Sequence, residues 1–280
     1  MAFGSRIYSM VPDMEIIDIH SHLQFSDFEE NREDIIAELK QRNWGTIVVG
    51  TNEETSRKAV DLAYEHKNIW ATVGQHPTVL KHVDTTTYRS IIIDSRSSVG
   101  DSRIVAIGEC GLDYYRTPRD QVLDKQVNNF QAQIDLAAEF KMPLVLHGRP
   151  TAGSMNAYED MLDILRNRRD ELPDDPGNAH FFVGDVAVAK RFIDMNFTVS
   201  FDGPITFARE YDEVIRFVPV DMIHAETDAP YVAPVPYRGQ QNSPLYVDEI
   251  IKALANIRQE KNLQSFSAQL VANARRVFKF

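Results

Sequence analysis

The sequence predicts an α/β protein, a (β/α)8 TIM barrel, on three observations. Eight apolar runs alternate with helical segments along 280 residues, and strands alternating with helices give a parallel sheet. The runs are continuously apolar rather than alternating, as parallel strands covered on both faces require. The length suits one barrel of about 250 residues, so residues 1–280 are read as a single domain carrying an extra C-terminal helix. An open doubly wound sheet is the rival, but no Gly-rich nucleotide loop follows the first strand.

The first strand is the apolar stretch that begins at Ile16 and ends in Asp18-Ile19-His20-Ser21-His22. Glu29 to Arg42 follows as a helix, with Ile35, Ile36 and Leu39 on one face. The second strand is the β-branched run Gly45 to Gly50, and Thr55 to His66 has helical spacing. The third is Ile69 to Gly74, ending in Gln75-His76-Pro77. Asp84 to Asp94 reads as a helix capped by Asp84, and the polar, Gly/Ser-rich stretch Ser95 to Arg103 as a loop. The fourth strand, Ile104 to Gly108, runs into Glu109. The helix after it places Leu123, Val127, Phe130, Ile134 and Ala137 on one stripe. Strand five is Leu144 to His147, with a helix from Ser154 to Arg169. Strand six is Ala179 to Gly184 and its helix Val186 to Met195; strand seven is Phe197 to Phe201 and its helix Phe207 to Phe217. Strand eight is Met222 to Asp228, and helices at Pro244–Arg258 and Ser265–Phe278 close the chain.

Composition narrows the function. One cysteine, Cys110, rules out an intrachain disulfide and a cysteine-based zinc site and fits a reducing cytoplasm. Met1 to Asp13 lacks the apolar core of a signal peptide, and no apolar run approaches the roughly 20 residues of a membrane helix. A net charge of −11 argues against a non-specific duplex-DNA binder, which needs a basic face. It leaves room for chemistry on a phosphodiester, because bound cations supply local positive charge.

The residues able to carry chemistry sit where a barrel places its active site, at the C-terminal strand ends. His20 and His22, two apart on one strand, project to the same side. Taken alone this pair is equally a surface feature. Glu109, His147, His180 and Asp228 close four further strands. Singly, each has a structural reading: Glu109 paired with Arg116, His147 in the core, His180 opening its strand, Asp228 in a turn. Together, four imidazoles and two carboxylates suffice for two divalent ions with positions left for water and substrate. Ions about 3.5–4 Å apart need a shared carboxylate, and Glu109 on the middle strand is the natural bridge. Asp228 is placed to bind one ion and to orient or deprotonate the attacking water. Mixed His and carboxylate sites accept Zn, Mn or Mg. Tyr231, Tyr237 and Tyr246 lie in or beside the Pro-rich segment Pro230–Pro244, a length typical of functional loops; they are placed either to stack on bases or, the commoner outcome for loop tyrosines, to pack on the barrel.

The motifs Gly74-Gln75-His76-Pro77, Gly108-Glu109-Cys110-Gly111-Leu112-Asp113, Leu146-His147-Gly148-Arg149 and Glu226-Thr227-Asp228-Ala229-Pro230-Tyr231 join the first strand in a pattern. With them the chain, from Ile16 to Phe278, resembles the TatD-related metal-dependent hydrolases of the amidohydrolase superfamily. The resemblance implies a metal-dependent deoxyribonuclease or phosphodiesterase using a hydroxide activated by two ions, acting on single-stranded or 3′-end DNA. It implies that His20 and His22 hold one ion, that Glu109 bridges, that His147 and His180 hold the second, and that Asp228 completes the site. His76 and Arg149 would face the substrate phosphate. The chain departs from the pattern at Pro150, where an acidic residue is usual, and at Phe181-Phe182-Val183. Two other readings stand beside this one: hydrolysis of a cyclic amide, ester or lactone by the same barrel, and a non-catalytic metal-stabilised scaffold.

Overall fold

The computed structural model describes residues 14–99 and 102–280. Eight strands follow one another in sheet order and pair in parallel: β1 Ile16–Ser21, β2 Trp44–Val49, β3 Ile69–Val73, β4 Ile104–Asp113, β5 Leu144–Arg149, β6 Gly177–His180, β7 Thr198–Phe201 and β8 Ile223–Ala225. The helices between them are α1 Arg32–Gln41, α2 Glu53–Glu65, α3 Thr85–Val99, α4 Arg119–Phe140, α5 Asn156–Arg168, α6 Val186–Asp194, α7 Asp212–Phe217 and α8 Val247–Arg258. An additional helix, α9 Leu263–Phe278, ends the chain. This is the TIM barrel that the sequence predicts.

The ring is drawn together where its first and last strands meet. Ser21 bridges Ala229 in parallel. The Asp228 N–H donates to His20 O at 2.9 Å and the His22 N–H to Ala229 O at 2.8 Å. The buried Asp18 carboxylate reinforces this seam by accepting the Thr227 N–H at 2.9 Å and the Thr227 hydroxyl at 2.6 Å. Around the rest of the barrel Leu, Ile, Val and Phe side chains fill the space between strands and helices. At one end α9 packs Val271, Ala274, Val277 and Phe278 against Ile17, Ile19, Ile47 and Trp70.

Several boundaries differ from expectation. Ser95 to Val99 is helical, not loop, because no glycine or proline interrupts it; Ser95 donates its hydroxyl to Ile92 O at 2.8 Å within the same helix. Positions 100–101 of the expected loop lie outside the described residues. β6 ends at His180, where Phe181 takes a φ of 44° and turns the chain. β8 is short, so Glu226-Thr227-Asp228 runs beyond it as irregular backbone. α7 covers only the last part of Phe207–Phe217, after a 3₁₀ turn at Gly203–Thr206. No described helix is long and apolar enough to cross a membrane.

Early in β8, His224 is fully buried, with Nε2 3.1 Å from Thr198 Oγ1. Burial, with Arg276 acting in the same sense, pushes its pKa from 6.5 down to about 3. The folded chain therefore keeps this ring neutral while the unfolded chain protonates it below about pH 6.5. Its contribution is full above that pH and is lost as pH falls toward 3, at up to about 1.4 kcal/mol per pH unit. Urea unfolding at pH 7 and pH 5 should show a shallower acid loss for His224→Gln than for the wild type. Parallel losses would show that the ring does not govern acid stability.

Candidate metal centre

The sequence places seven ionisable side chains at one rim, and the local backbone explains how. β4 carries Glu109 between Gly108 and Gly111, at φ of 141° and 139°. A side chain at either glycine would collide with the neighbouring strand: a Cβ on Gly108 would stand 2.4 Å from Val145 O, and one on Gly111 2.2 Å from His147 O. Glycine there lets β4 and β5 close up around Glu109 and His147. On the other side Asp228 takes a φ of 53°, a conformation few non-glycine residues adopt, and the seam to His20 holds it there.

Glu109 stands at the centre, and its two oxygens face different partners. Oε2 lies 3.6 Å from His20 Nε2 and 3.8 Å from His22 Nε2. Oε1 lies 2.7 Å from His147 Nδ1, 2.9 Å from His180 Nε2 and 3.4 Å from His76 Nε2. Asp228 Oδ1 completes the first group, 3.3 Å from His22 Nε2 and 3.6 Å from His20 Nε2. Three compact ligand sets result: His20, His22 and Asp228; His20, Glu109 and His180; and His76, Glu109 and His147.

Each imidazole except His20 and His180 has one nitrogen hydrogen-bonded from behind, which leaves the other turned inward. The Val49 carbonyl, 2.9 Å from His22 Nδ1, can only accept, so that nitrogen carries the hydrogen and Nε2 is free as a ligand. His180 Nδ1 lies 3.4 Å from Glu226 Oε1. His147 Nε2 lies 3.2 Å from Asp113 Oδ2, and His76 Nδ1 2.7 Å from Thr78 Oγ1. His20 is looser: its Nδ1 is 4.0 Å from Glu226 Oε2, and neither ring nitrogen has a hydrogen-bond partner among the described residues. A fully buried histidine with both nitrogens unpartnered is costly, and a cation would remove that cost.

The residues fit divalent ions. Two ligands at about 2.1 Å from a tetrahedral ion lie about 3.4 Å apart, close to the spacing of His20, His22 and Asp228. The shorter Glu109–His147 and Glu109–His180 contacts are hydrogen bonds, which an ion would open by several tenths of an ångström. The electrostatics agree. Burial opposes ionisation of Glu109, but His180, His76 and His147 outweigh it and hold the carboxyl well below the usual range. Burial likewise opposes charging of His180, and Glu109 with Glu226 reverses the balance and raises its pKa well above 6.5. The carboxylates thus attract positive charge here.

The model of the TatD-related DNase family matches residues 17–279. The chain belongs to that family. This TatD-family chain is 33% identical over 269 residues to an uncharacterized metal-dependent hydrolase, YabD, of Bacillus subtilis, covering 94% of this chain and 99% of the relative. It is 30% identical to the 3′-5′ ssDNA/RNA exonuclease TatD of Salmonella typhimurium, covering 94% and 99%. Its fold superimposes on the crystal structure of YJJV, a TatD homologue from Escherichia coli K12, with a TM-score of 0.83 and 25% identity, covering 97% of this chain and all of that one. It is therefore an enzyme of the metal-dependent hydrolases.

The six expected ligands converge in the TatD-family chain. His76, expected to face phosphate, lines the cavity in front of the cluster and also stands among the inward-facing nitrogens, 3.3 Å from His147 Nδ1. Arg149 lines the cavity in front of the cluster, and its guanidinium lies 4.2 Å over the Tyr115 ring. Arg116 pairs with Asp113 at 3.8 Å rather than with Glu109. Cys110 is buried beside Val145, consistent with a core role. Sequence reasoning gave no role to Asp113 or Glu226, although both lie in the Gly-Leu-Asp and Glu-Thr-Asp strings; their function shows only when the rings they support are in place.

Glu226 holds more than His180: it also accepts the Phe181 N–H at 2.6 Å and the Ser200 hydroxyl at 2.7 Å. Carboxylates behind ligand histidines typically change metal affinity about 10–100-fold. Glu226→Gln should weaken divalent-ion binding by that factor in competition with a chromophoric chelator. Unchanged affinity would show that the carboxylate does not orient these rings.

Proposed function

We propose that this protein is a two-ion phosphodiesterase that removes nucleotides from the 3′ end of single-stranded DNA or RNA. The observation that carries the reading is the division of Glu109: one oxygen faces His20 and His22, the other faces His147 and His180. In this reading His20, His22 and Asp228 would hold one ion, His147 and His180 the second, with Glu109 shared between them. Zn, Mn or Mg would each suit such donors, and bound ions would supply Lewis-acid charge and an acidified water.

The protein's own residues do the rest. Arg149 and Arg116, both lining a cavity of about 520 Å³ with His76, offer cationic and hydrogen-bonding groups for phosphate oxygens. Asp228, ionised and beside His22, is a base able to take the proton of the attacking water at its carboxylate. Asp113 and Glu226 keep the rings from turning, so the donors stay aimed while charge develops on the phosphoryl and leaving oxygens. A glutamate rather than a lysine at the centre supports phosphodiester over cyclic-amide chemistry. The nuclease names of TatD-family relatives support it as well.

Chelation should abolish release of mononucleotides from single-stranded oligonucleotides, and added Mn or Mg should restore it; full activity after chelation would overturn the proposal. Glu109→Ala should lose both metal content and turnover, by about a hundredfold or more, since even supporting residues cost 10–100-fold. Normal metal content in that variant, read by elemental analysis, would place the shared ligand elsewhere.

A further inference from the structure

The cavity lining combines two chemically different kinds of side chain. Arg116, Arg149, His76 and Thr78 suit phosphate. Phe25 and Tyr231, both in ring contact with His22, also line it, and the hydrolytic reading leaves them without a task. Tyr231 is 50% exposed although it lines the site. Its ring is thus half in water at the cavity and open to a flat ligand, for which an aromatic side chain offers a large contact area.

Both rings are presented on anchored backbone. The Tyr231 N–H donates to Asp228 O at 2.9 Å, and Tyr231 O accepts from the buried Asn242 side chain at 2.6 Å. The Phe25 N–H donates to His22 O at 2.9 Å, and Phe25 O accepts from Arg32 at 2.9 Å. Phe25 lies on His22, with ring centroids 4.6 Å apart and planes 10° from parallel. Tyr231 stands 6.1 Å from His22 and inclined at 65° to it. Both rings thus flank His22, one stacked on it and the other inclined to it, and each can offer a π-face to a flat group in the cavity. The other tyrosines of this region are used differently: Tyr237 and Tyr246 stack on each other at 3.7 Å.

We infer that Phe25 and Tyr231 form a nucleobase subsite, seating the base of the terminal nucleotide beside the ion-binding histidines while Arg116 and Arg149 take the phosphates. The inference rests on the phosphodiesterase reading and deepens it, by naming the side chains that recognise the base rather than the phosphate. Stacking tolerates any base, because every base has a π-face, so the subsite confers preference for a nucleotide without preference for a sequence.

Tyr231 is the residue to test, since Phe25 also supports His22. The metal-loaded enzyme is given single-stranded DNA ending at its 3′ terminus in adenosine or in an abasic tetrahydrofuran, and the ratio of the two kcat/KM values is measured. Wild type and Tyr231→Phe should favour the base-bearing end by roughly ten- to a hundredfold, and Tyr231→Ala should reduce that ratio at least fivefold. Equal rates on both ends in the wild type, or an unaltered ratio in Tyr231→Ala, would overturn the inference. A second readout needs no turnover. An oligonucleotide with a 3′-terminal 2-aminopurine behind a methylphosphonate linkage should be quenched on binding wild type and Tyr231→Phe, but not Tyr231→Ala. Tyr231-dependent quenching without hydrolysis of any oligonucleotide would sink the phosphodiesterase reading and leave the subsite standing. Hydrolysis with neither quenching nor end preference would do the reverse.

Discussion

The structure depends on how the barrel's first and last strands are tied. Asp18 is fully buried, and burial drives its carboxyl toward the neutral form. It is tolerated because it accepts the His20 N–H at 3.1 Å together with the two Thr227 donors, and a buried carboxyl so satisfied becomes a rivet rather than a defect. Residues 209 apart in sequence are thereby joined. That join acts with the Asp228–His20 and His22–Ala229 backbone bonds to bring His20 and His22 against Asp228. The first Asp of the Asp-x-His-x-His string thus serves the scaffold, and the two histidines serve the cluster.

The second constraint is charge. Two carboxylates and five imidazoles occupy one largely water-excluded rim, an arrangement that is expensive unless each group has a partner. Without ions the partners are protons shared among the histidines, as the raised pKa of His22 and His147 indicates: in both, carboxylate neighbours overcome a burial penalty that would lower it. His20 behaves oppositely, lowered by burial and by His180. Divalent ions would replace those protons one site at a time, so ion uptake and proton release should be coupled.

Much of this was legible in the sequence, for a definite reason. A barrel puts catalytic groups at strand ends, and a strand end is a local pattern: an apolar run stopping at His22, Glu109, His147 or His180. The seven-stranded remainder of the fold followed from the same runs once β1 was recognised. Ring orientation is not local. Whether Nδ1 or Nε2 of a histidine faces inward is decided by Val49, Asp113, Thr78 or Glu226, each on a different element. The placement of His76 beside Glu109 is likewise a product of packing between segments, and the resemblance alone assigned it to phosphate. Ser95 to Val99 misread as loop because serine is common in both settings, and only the absence of a breaker before Gly100 distinguishes them.

One buried amide governs the mouth of the cavity. Asn242 donates to both Thr227 O and Tyr231 O, and its own oxygen accepts the Ser243 N–H at 2.8 Å. The segment is thereby clasped close to Asp228, and it is pinned again further along, where the Val235 N–H donates to Thr206 Oγ1 at 2.9 Å and Gln241 Nε2 to Asp27 O at 2.7 Å. The mouth of the cavity is thus set before any ligand arrives, and little ordering cost is left for binding to meet.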